Sequence, residues 1–504
     1  MTKNLATLAE TAFEARGDYD AIFFEDRWLR SGEAFRATRA AAAGLIELGI
    51  QPGDRVIVLM ANTPDVGIAY GALWAAGAVI TPVVFLLPPQ EIAHILRDSG
   101  AVAVITTHEF ISNVTLAAEG IPTLKWIIAS GNEEEGVVSL AALKEHEPAG
   151  TVPRADDDLA ALLYTGGTTG QAKGVMLTHA NLYDCAQSAQ EAAEIPGVAR
   201  TIVPLPLSHA FGLIVSVAGL HQKEAAQHVL MRWFDPAAFC ALVAEHRMQR
   251  ATVIPTMLQL LLGQRLEDHD LSSLTYINCG AAPLSLEVVE EFERRVPSAT
   301  ILEGYGLTES GAVVSVNPPD RRKLGTVGLP IPRFEVRVEG ADGAVLPSGE
   351  VGEICVRGPG VMTGYWESPE ATAETLRDGW LHTGDLGSLD EDGYITIADR
   401  KKDLIIRGGF NVFPRDVEDA LLEHPSVAMA GVVGRPHPTH GEEVIAFVSV
   451  KPDQPITSEE LIAFMKDRVG AVKYPREIRI VDAIPLTPIG KIDRKALRET
   501  VRAG

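Results

Sequence analysis

Residues 67–87 read "GIAYGALWAAGAVITPVVFLL", a run of 21 residues without a charged side chain. A run of this length can span a bilayer. Here, however, Gly77 and a Thr-Pro pair divide it, and alanine and glycine dilute its hydrophobicity. β-Branched residues cluster after Gly77, which favours a strand at that point. We therefore predict a buried helix over residues 64–77 and a buried strand over residues 79–86, and no membrane span.

Short apolar runs alternate with helical patterns on both sides of this stretch. Helical patterns cover residues 236–245 and 286–295. The runs that we interpret as buried strands are "RVIVLM" (55–60), "AVAVIT" (101–106), "LAALLY" (159–164), "ATVIP" (251–255) and "LTYINC" (274–279). Such alternation predicts an α/β fold in which helices flank mostly parallel sheets.

The pattern changes between residues 325 and 400. "FEVRVEG", "GEICVRG" and "GYITIAD" are alternating strands separated by Gly-Asp turns, which predicts a small antiparallel, barrel-like β unit. A compact α+β segment follows, with strands near 427–433 and 443–450 and helices near 415–423 and 458–469.

The charged sequence "DRKKDL" (399–404) and a glycine pair lie between these two parts of the chain. A solvated turn would explain the charges, and so would a hinge. We predict a large N-terminal domain over residues 1–400 and a small, mobile α+β lid over residues 401–504.

Composition restricts the partners. The chain has 504 residues, is 46% hydrophobic and 22% charged, and has a formal net charge of −23. This charge argues against nucleic acid and anionic membrane surfaces as partners, but not against small polyanions. The cysteines form no CxxC pair, and the N-terminal stretch lacks the apolar region of a signal peptide. We expect a cytoplasmic protein without a zinc site, a disulfide framework or stable membrane insertion.

Residues 164–176, "YTGGTTGQAKGVM", have the character of a phosphate-binding loop. The Walker A pattern fails because Gly174 follows Lys173, and the Rossmann spacing is absent. Glycines nevertheless let backbone N–H groups turn toward an anion, while threonine hydroxyls and one lysine add donors. The residues expected to hold phosphate are Thr165, Gly166, Gly167, Thr168, Thr169, Gly170 and Lys173.

Further motifs follow this loop in a fixed order. They are "PLPLSHAFGL" (204–213), "CGAAPL" (279–284), "EGYGLTES" (303–310), "GWLHTGD" (379–385), "DRKKDLIIRGGFNVFPRDVE" (399–418) and "PIGKIDR" (488–494). Together with the loop, they resemble the adenylate-forming acyl-activating superfamily. Gly166 stands where the usual motif has serine, and Ala172 where it has proline. The glycine variant resembles that of medium- and long-chain fatty acid–CoA ligases.

The resemblance implies an attack by a carboxylate on the α-phosphate of ATP, with Mg²⁺ ligated by Glu309. Charge neutralisation is the main catalytic problem, because two anions must meet. The expected catalytic residues are Lys491, Thr308, Glu309 and His209. Besides the loop, the expected nucleotide-binding residues are Gly280, Ala281, Ala282, Glu303, Gly304, Tyr305, Gly306, Thr308, Asp385, Arg400 and Lys491.

The resemblance also implies an acyl pocket and a coenzyme A channel. The expected acyl pocket is apolar, without a basic residue in its motifs, and consists of His209, Met257, Gly280, Ala281, Ala282 and Ala312. The expected CoA-binding residues are Arg407, Gly408, Gly409 and Lys473, and the expected hinge is Lys402. For His209 a packed core histidine remains an alternative, as do plain solvated charges for Arg407 and Lys473.

The sequence therefore predicts an ATP-dependent acyl-CoA synthetase that forms an acyl-adenylate, with medium- or long-chain fatty acids as the expected substrates. One alternative is an aryl or arylpropenoic acid–CoA ligase, and another is an adenylating enzyme that loads a carrier protein in trans. A non-catalytic nucleotide-binding protein is a third, although the intact Lys491, Glu309 and Thr308 argue against it. ATP, CoA, Mg²⁺ and a small carboxylic acid are the expected ligands, and a homodimer is left open.

Overall fold

The computed structural model describes residues 2–131, 134–165, 172–451, 454–487 and 491–503. The strands are β1 (Asp20–Phe24), β2 (Arg27–Arg30), β3 (Arg55–Leu59), β4 (Val79–Pro82), β5 (Ala103–Thr107), β6 (Trp126–Ser130), β7 (Val138–Ser139), β8 (Leu159–Thr165), β9 (Lys173–Thr178), β10 (Arg200–Val203), β11 (Gln227–Leu230), β12 (Arg250–Val253), β13 (Tyr276–Cys279), β14 (Thr300–Tyr305), β15 (Ser315–Val316), β16 (Leu329–Pro330), β17 (Glu335–Glu339), β18 (Gly352–Arg357), β19 (Gly364–Tyr365), β20 (Leu376–Arg377), β21 (Trp380–Leu389), β22 (Ile395–Arg400), β23 (Ile405–Arg407), β24 (Phe410–Val412), β25 (Val427–His437), β26 (Gly441–Val450) and β27 (Glu477–Ile480).

The helices are α1 (Leu5–Arg16), α2 (Ser31–Glu47), α3 (Pro64–Ala75), α4 (Pro89–Ser99), α5 (Ile111–Ala118), α6 (Leu140–Leu143), α7 (His179–Ala193), α8 (Ala210–Leu220), α9 (Pro236–His246), α10 (Pro255–Leu262), α11 (Leu286–Arg295), α12 (Pro369–Thr375), α13 (Pro414–Leu422), α14 (Ser458–Lys466) and α15 (Arg494–Ala503).

The first sheet has the strand order β19-β9-β8-β4-β3-β5-β6-β7, with β3 to β6 running parallel. The uncharged stretch enters this sheet as α3 followed by β4. Gly77 turns the chain between them with a φ of 78°, and β4 ends at Pro82, which lacks the N–H that would continue the ladder. Within the described residues, no helix is long and apolar enough to cross a membrane.

The second sheet has the order β16-β15-β14-β13-β12-β10-β11-β1-β2, and β10 to β14 run parallel. Because successive side chains of a strand point to opposite faces of the sheet, the two faces carry different residues. Ile202, Ala251 and Ile277 pack into a core with α9, α10 and α11. Thr201 and Arg250 point to the opposite face, where they line a cavity.

Two smaller sheets follow. In the third, β17-β18-β21-β20 are antiparallel and β22 pairs with β21, as expected for the unit before residue 400. The fourth, β24-β23-β26-β25 with β27 on β26, packs with α13 and α14 around its own core. The predicted α/β architecture with a small C-terminal α+β unit is confirmed.

Candidate active site

A cavity of about 1190 Å³ lies where β13 and β14 end and the C-terminal segment approaches them. One wall of the cavity consists of two segments: residues 279–282, at the end of β13 and just after it, and residues 302–309, in β14 and just after it. Lys491 and Arg494 line the cavity from the C-terminal segment. The carboxyl edge of a parallel sheet is a common ligand site, since loops from several strands converge there.

Lys491 enters this cavity beside a short backbone pairing. Thr487 N donates to Lys491 O at 2.7 Å, and Lys491 N donates to Thr487 Oγ1 at 3.1 Å. Burial lowers the pKa of Lys491 from 10.5 to about 8, and the charge of Arg400 acts in the same direction. The ammonium group thus lies in a desolvated position from which it can pair with anions.

Asp385 lies between an aromatic ring and a guanidinium group. Tyr305 Oη donates to Asp385 Oδ2 at 2.6 Å, and Arg400 Nε lies 3.0 Å from Asp385 Oδ1. Strands β21 and β22 fix this pair, because Asp385 and Arg400 are register partners across them. Burial, together with the Asp385 charge, raises the pKa of Tyr305 well above its usual value. The ring and the carboxylate are thereby held as a unit facing the cavity.

Glu309 lies in a 3₁₀ turn, Thr308–Ser310, directly after β14. Tyr365 Oη donates to Glu309 Oε1 at 2.9 Å, and Lys173 Nζ lies 5.4 Å from the centre of the Tyr365 ring. Burial, followed by the Glu309 charge, raises the pKa of Tyr365, so the phenol remains a donor. A carboxylate oxygen in this position is a donor type that suits Mg²⁺.

His209 caps the N-terminus of α8, where its Nδ1 accepts a hydrogen bond from Phe211 N at 3.3 Å. Burial, together with the charge of Lys491, lowers the pKa of His209 to about 4. The imidazole is therefore neutral near pH 7. His209 also lines the cavity close to Lys491. It therefore has two roles, as the N-cap of α8 and as a residue of the candidate site.

Small residues form the floor beneath these groups. A Cβ on Gly280 would lie 2.9 Å from Gly304 O, and a Cβ on Gly306 would lie 2.0 Å from Ala312 O. Ala281 has a φ of 71° and Ala312 a φ of 91°, both in the left-handed region that L residues rarely adopt. The glycines of these motifs are thus required for close packing of the backbone segments that line the cavity.

Glu303 lies in the same wall with a raised pKa of about 7, because burial outweighs the opposing charge of Arg415.

Arg415 itself joins the two parts of the chain. It belongs to α13, and its guanidinium donates to Ile397 O at 3.0 Å and to Leu284 O at 3.4 Å.

The structure brings most of the predicted residues into this cavity. Those that line it are Thr165, Lys173, His209, Gly280, Ala281, Ala282, Glu303, Gly304, Tyr305, Gly306, Thr308, Glu309, Ala312, Asp385, Arg400, Lys402 and Lys491. Gly166, Gly167, Thr168, Thr169 and Gly170 lie outside the described residues.

Met257 differs from its prediction as an acyl-pocket residue. It is buried in the core on the other face of the second sheet, and Pro255, Thr256 and Gln259 of the same helix line the cavity instead. An α-helix has 3.6 residues per turn, so neighbouring positions face different sides of the helix. The sequence alone did not show which of these positions faces the cavity.

The predicted CoA-binding residues do not line the cavity. Arg407 forms an ion pair of 2.6 Å with Glu443, and Lys473 forms one of 2.6 Å with Asp416. Arg407 is also buried and donates to two backbone carbonyls, so the prediction of a solvated charge does not describe it. Gly408 and Gly409 have φ values of 58° and 83°, and open space surrounds the position of a Cβ on either.

Three residues with a place in the site were missed. Tyr365 holds Glu309 but comes from β19, which pairs with β9. Arg250 and His228 also line the cavity, whereas the motifs of the expected acyl pocket contained no basic residue. A charged residue immediately before the apolar run "ATVIP" was the available signal for Arg250.

Comparison with known proteins identifies the class. The family model described as AMP-binding enzyme matches residues 9–366, and that of the AMP-binding enzyme C-terminal domain matches residues 416–491. The chain therefore belongs to the AMP-binding enzymes. Together with its similarity to CoA ligases, this makes it an AMP-forming acid–thiol ligase of the acyl-CoA synthetase type.

Among individual relatives, a feruloyl-CoA synthase of Amycolatopsis sp is 37% identical over 475 residues, which is 93% of either chain. A long-chain-fatty-acid–CoA ligase of Escherichia coli O6:H1 is 35% identical over 507 residues, covering 92% of this chain and 89% of the relative. The solved structure of the anthranilate CoA ligase AuaEII in complex with anthranoyl-AMP is similar, with a TM-score of 0.92 and 25% identity. That match covers 99% of this chain and 97% of the other.

Proposed function

We propose that the protein converts a carboxylic acid with an apolar body, ATP and CoA into an acyl-CoA, AMP and diphosphate. The convergence of Lys491, Asp385 and Glu309 on one cavity carries this proposal. A cation, an acceptor for hydroxyl groups and a metal-binding carboxylate are the groups that an acyl-adenylate reaction requires. The relatives named above, two CoA ligases and an anthranoyl-AMP complex, support the same reaction.

In the first half-reaction, a carboxylate oxygen attacks the α-phosphorus of ATP and diphosphate leaves. Lys491 pairs with the carboxylate and the α-phosphate, which lowers the repulsion between them. Thr308 donates its hydroxyl hydrogen to the α-phosphate. Asp385 accepts from the ribose hydroxyls, while the Tyr305 ring stacks on the adenine. Each of these residues lines the cavity.

Glu309 would hold Mg²⁺, which would neutralise phosphate charge. Glu309 suits this role because Tyr365 holds its carboxylate through one oxygen, Oε1, and Glu309 lines the cavity. Carboxylate oxygens are the ligands that Mg²⁺ prefers, and it usually keeps several waters and substrate phosphates as its other ligands.

In the second half-reaction, the CoA sulfur attacks the carbonyl carbon of the acyl-adenylate and AMP leaves. Gly408 and Gly409 lie outside the cavity in this structure, so the unit that carries them must move to reach the adenylate. Lys402, between β22 and β23, is the proposed pivot. Arg407 and Lys473 are not assigned phosphate contacts, since both are held in ion pairs.

Part of the cavity lining is apolar, including Ile214, Val215 and Ala218 of α8 and Leu302 of β14. Each buried methylene adds roughly 0.8 kcal/mol of transfer free energy. Acetate and malonate should therefore be poor substrates, whereas octanoate and aryl acids should be much better. Both the fatty acid and the aryl alternatives satisfy this requirement.

A substrate panel tests the proposal. Acetate, malonate, octanoate, palmitate and cinnamate are assayed for diphosphate release and thioester formation together, with and without CoA. The proposal expects both products, and CoA-dependent AMP release, from one of the larger acids. Diphosphate without thioester would favour transfer to a carrier protein, and no diphosphate with any acid would contradict enzymatic activity. A highest kcat/KM for acetate or malonate would contradict the apolar pocket.

A further inference from the structure

One face of the third sheet carries a cluster of metal-ligating side chains that the proposed reaction does not use. Glu339 lies at the end of β17, Cys355 in β18 and His382 near the start of β21. Cys355 is the register partner of His382, and Glu339 is the register partner of Glu353. One ligand atom from each of Glu339, Cys355 and His382 lies within 4.8 Å of the other two. The pairing of three neighbouring strands thus brings sulfur, nitrogen and oxygen ligands together.

The separations of these ligand atoms fit a tetrahedral zinc ion. His382 Nδ1 lies 3.4 Å from Cys355 Sγ. The same nitrogen lies 3.6 Å from Glu353 Oε2 and 4.0 Å from Glu339 Oε2. Zinc bonds of about 2.0–2.3 Å at tetrahedral angles place neighbouring ligand atoms about 3.3–3.6 Å apart. All three separations from His382 Nδ1 lie within about 0.5 Å of this range.

Each carboxylate of the cluster has one oxygen held by another group and the other oxygen near His382. Glu339 Oε1 forms an ion pair with Arg337, and Glu353 Oε1 accepts a hydrogen bond from Gly384 N at 3.1 Å. The Oε2 atoms are those that lie near His382. Partners of this kind orient the ligands of a metal ion and raise its affinity. The two Oε2 atoms are therefore the ones placed to bind a cation.

The charges of the cluster balance with a zinc ion as well as without one. Two carboxylates now face Arg337 and Lys401, whose Nζ lies 3.1 Å from Glu353 Oε2. The Lys401 side chain is 59% exposed, so its ammonium can move into water. A zinc ion in place of this ammonium adds one positive charge, which the Cys355 thiolate balances once the thiol has released its proton. Because Cys355 is buried, such a balance is required.

We propose that Glu339, Glu353, Cys355 and His382 bind a structural zinc ion in the third sheet. The ligand atoms are Oε2 of each glutamate, Sγ of the cysteine and Nδ1 of the histidine. Thiolate and imidazole ligands select zinc over Mg²⁺ and Ca²⁺, which prefer oxygen ligands. None of the four residues lines the cavity, so this inference does not rest on the proposed function.

The zinc ion joins three strands beside the candidate active site. Asp385 follows His382 by three residues in β21, and it is the register partner of Arg400 in β22. A cross-link through β17, β18 and β21 thus stabilises the strand that carries Asp385. The sequence analysis expected no zinc site because the cysteines form no CxxC pair. These ligands are instead single residues on separate strands, which only strand pairing brings together.

Cobalt(II) tests the site, because it substitutes for zinc and a cobalt–thiolate bond absorbs in the near ultraviolet. Chelator-treated protein is titrated with Co²⁺ in excess Mg²⁺, which competes for oxygen ligands such as Glu309. The charge-transfer band should saturate at about one Co²⁺ per chain, and Zn²⁺ should abolish it. Protein produced with added zinc should also contain about one zinc ion per chain after gel filtration. Absence of both the band and the zinc would overturn the proposal.

Variants assign the metal to these residues. Cys355→Ser should abolish the band, and His382→Gln, which keeps the thiol, should weaken Co²⁺ binding by more than about 100-fold. His382→Gln keeps the test valid if Cys355→Ser folds poorly. Lys401→Met should tighten binding, since it removes the ammonium that competes for Glu353 Oε2. Unchanged Co²⁺ binding in both Cys355→Ser and His382→Gln would place the ion elsewhere and overturn the proposal.

Cys279→Ser is the matched control for the thiol. Burial, together with the charge of Glu303, raises the pKa of Cys279 well above its usual value, so Cys279 is also a buried thiol near a carboxylate. This variant should keep the cobalt band, and loss of the band here but not in Cys355→Ser would contradict the assignment. Zn²⁺ should raise the Tm of the parent protein and of Cys279→Ser, but not that of His382→Gln. An equal rise in all three proteins would contradict binding at His382.

Discussion

Lys491 is the residue whose role is most directly testable. Lys491→Ala should slow acyl-adenylate formation by about 10²–10³, because it removes the charge that meets two anions. With presynthesised acyl-AMP and CoA, the same variant should still form thioester at a rate near that of the parent protein. Diphosphate release and thioester formation are measured separately. An equal loss in both half-reactions would contradict the catalytic role and favour a structural one.

The depressed pKa of Lys491 gives a pH prediction. Below about pH 8 the ammonium is charged and can neutralise the reacting anions; as the pH rises through about 8 it loses its proton. The kcat/KM for diphosphate release, which reports the free enzyme, should therefore decline above pH 8. The pKa of His209 is lowered to about 4, so His209 does not contribute to the decline above pH 8.

Lys491→Arg is the comparison, since a guanidinium stays charged throughout this range. Its kcat/KM should be lower, but the decline should move to higher pH. A decline at the same pH in both proteins would assign the titration to another group.

At the scale of strands and turns, the sequence was a good guide to the helices and strands that carry the motifs. It predicted β3, β8 and α9 within a residue or two of their observed bounds. It could not predict that Thr201, His228 and Arg250 would line the cavity. Alternation along a strand distinguishes its two faces, but a polar face looks the same whether it meets solvent or a ligand cavity.

Gly409 offers a test at this scale. Its φ of 83° lies in the left-handed region, so a side chain there costs about 1–2 kcal/mol in folding free energy. If the turn also lines the CoA channel, Gly409→Leu should lose roughly 10²-fold in CoA-dependent turnover while acyl-AMP formation persists.

Gly343→Leu is the matched control, because Gly343 has a φ of 81° and equally open surroundings in a turn of the third sheet. Both variants should show a similar fall in Tm, which isolates the backbone cost. Loss of thioester formation only in the Gly409 variant would support the channel. Equal half-reaction losses at Gly409 would contradict it.

The protein as a whole has a formal net charge of −23, yet its cavity is lined by cations such as Lys173, Arg400 and Lys491. Overall composition cannot predict this local concentration of positive charge, because it is a property of the fold. The pairing of Tyr365 with Glu309 has the same origin. It depends on β19 joining β9, a contact between segments almost two hundred residues apart.

The position of the C-terminal unit leads to a prediction about motion. In this structure it delivers Lys491 to the cavity, while Gly408 and Gly409 stay outside. Burial, together with the charge of Glu287 on α11, raises the pKa of Asp419 on α13, so these two carboxylates lie near each other in different parts of the chain. We expect a covalent link at this point to hold the arrangement that forms the adenylate.

The test replaces both residues by cysteine and joins them with a short bis-maleimide. The four native cysteines are buried, so the reagent should select the introduced pair. The linked protein should keep diphosphate release in the first turnover but lose thioester formation by at least about 10²-fold, because a misplaced reacting group costs that much. Each single-cysteine variant, treated in the same way, should keep both half-reactions. If the linked protein formed thioester at the rate of these controls, the C-terminal unit would not need to move, and the CoA thiol would have to reach the adenylate through the arrangement described here.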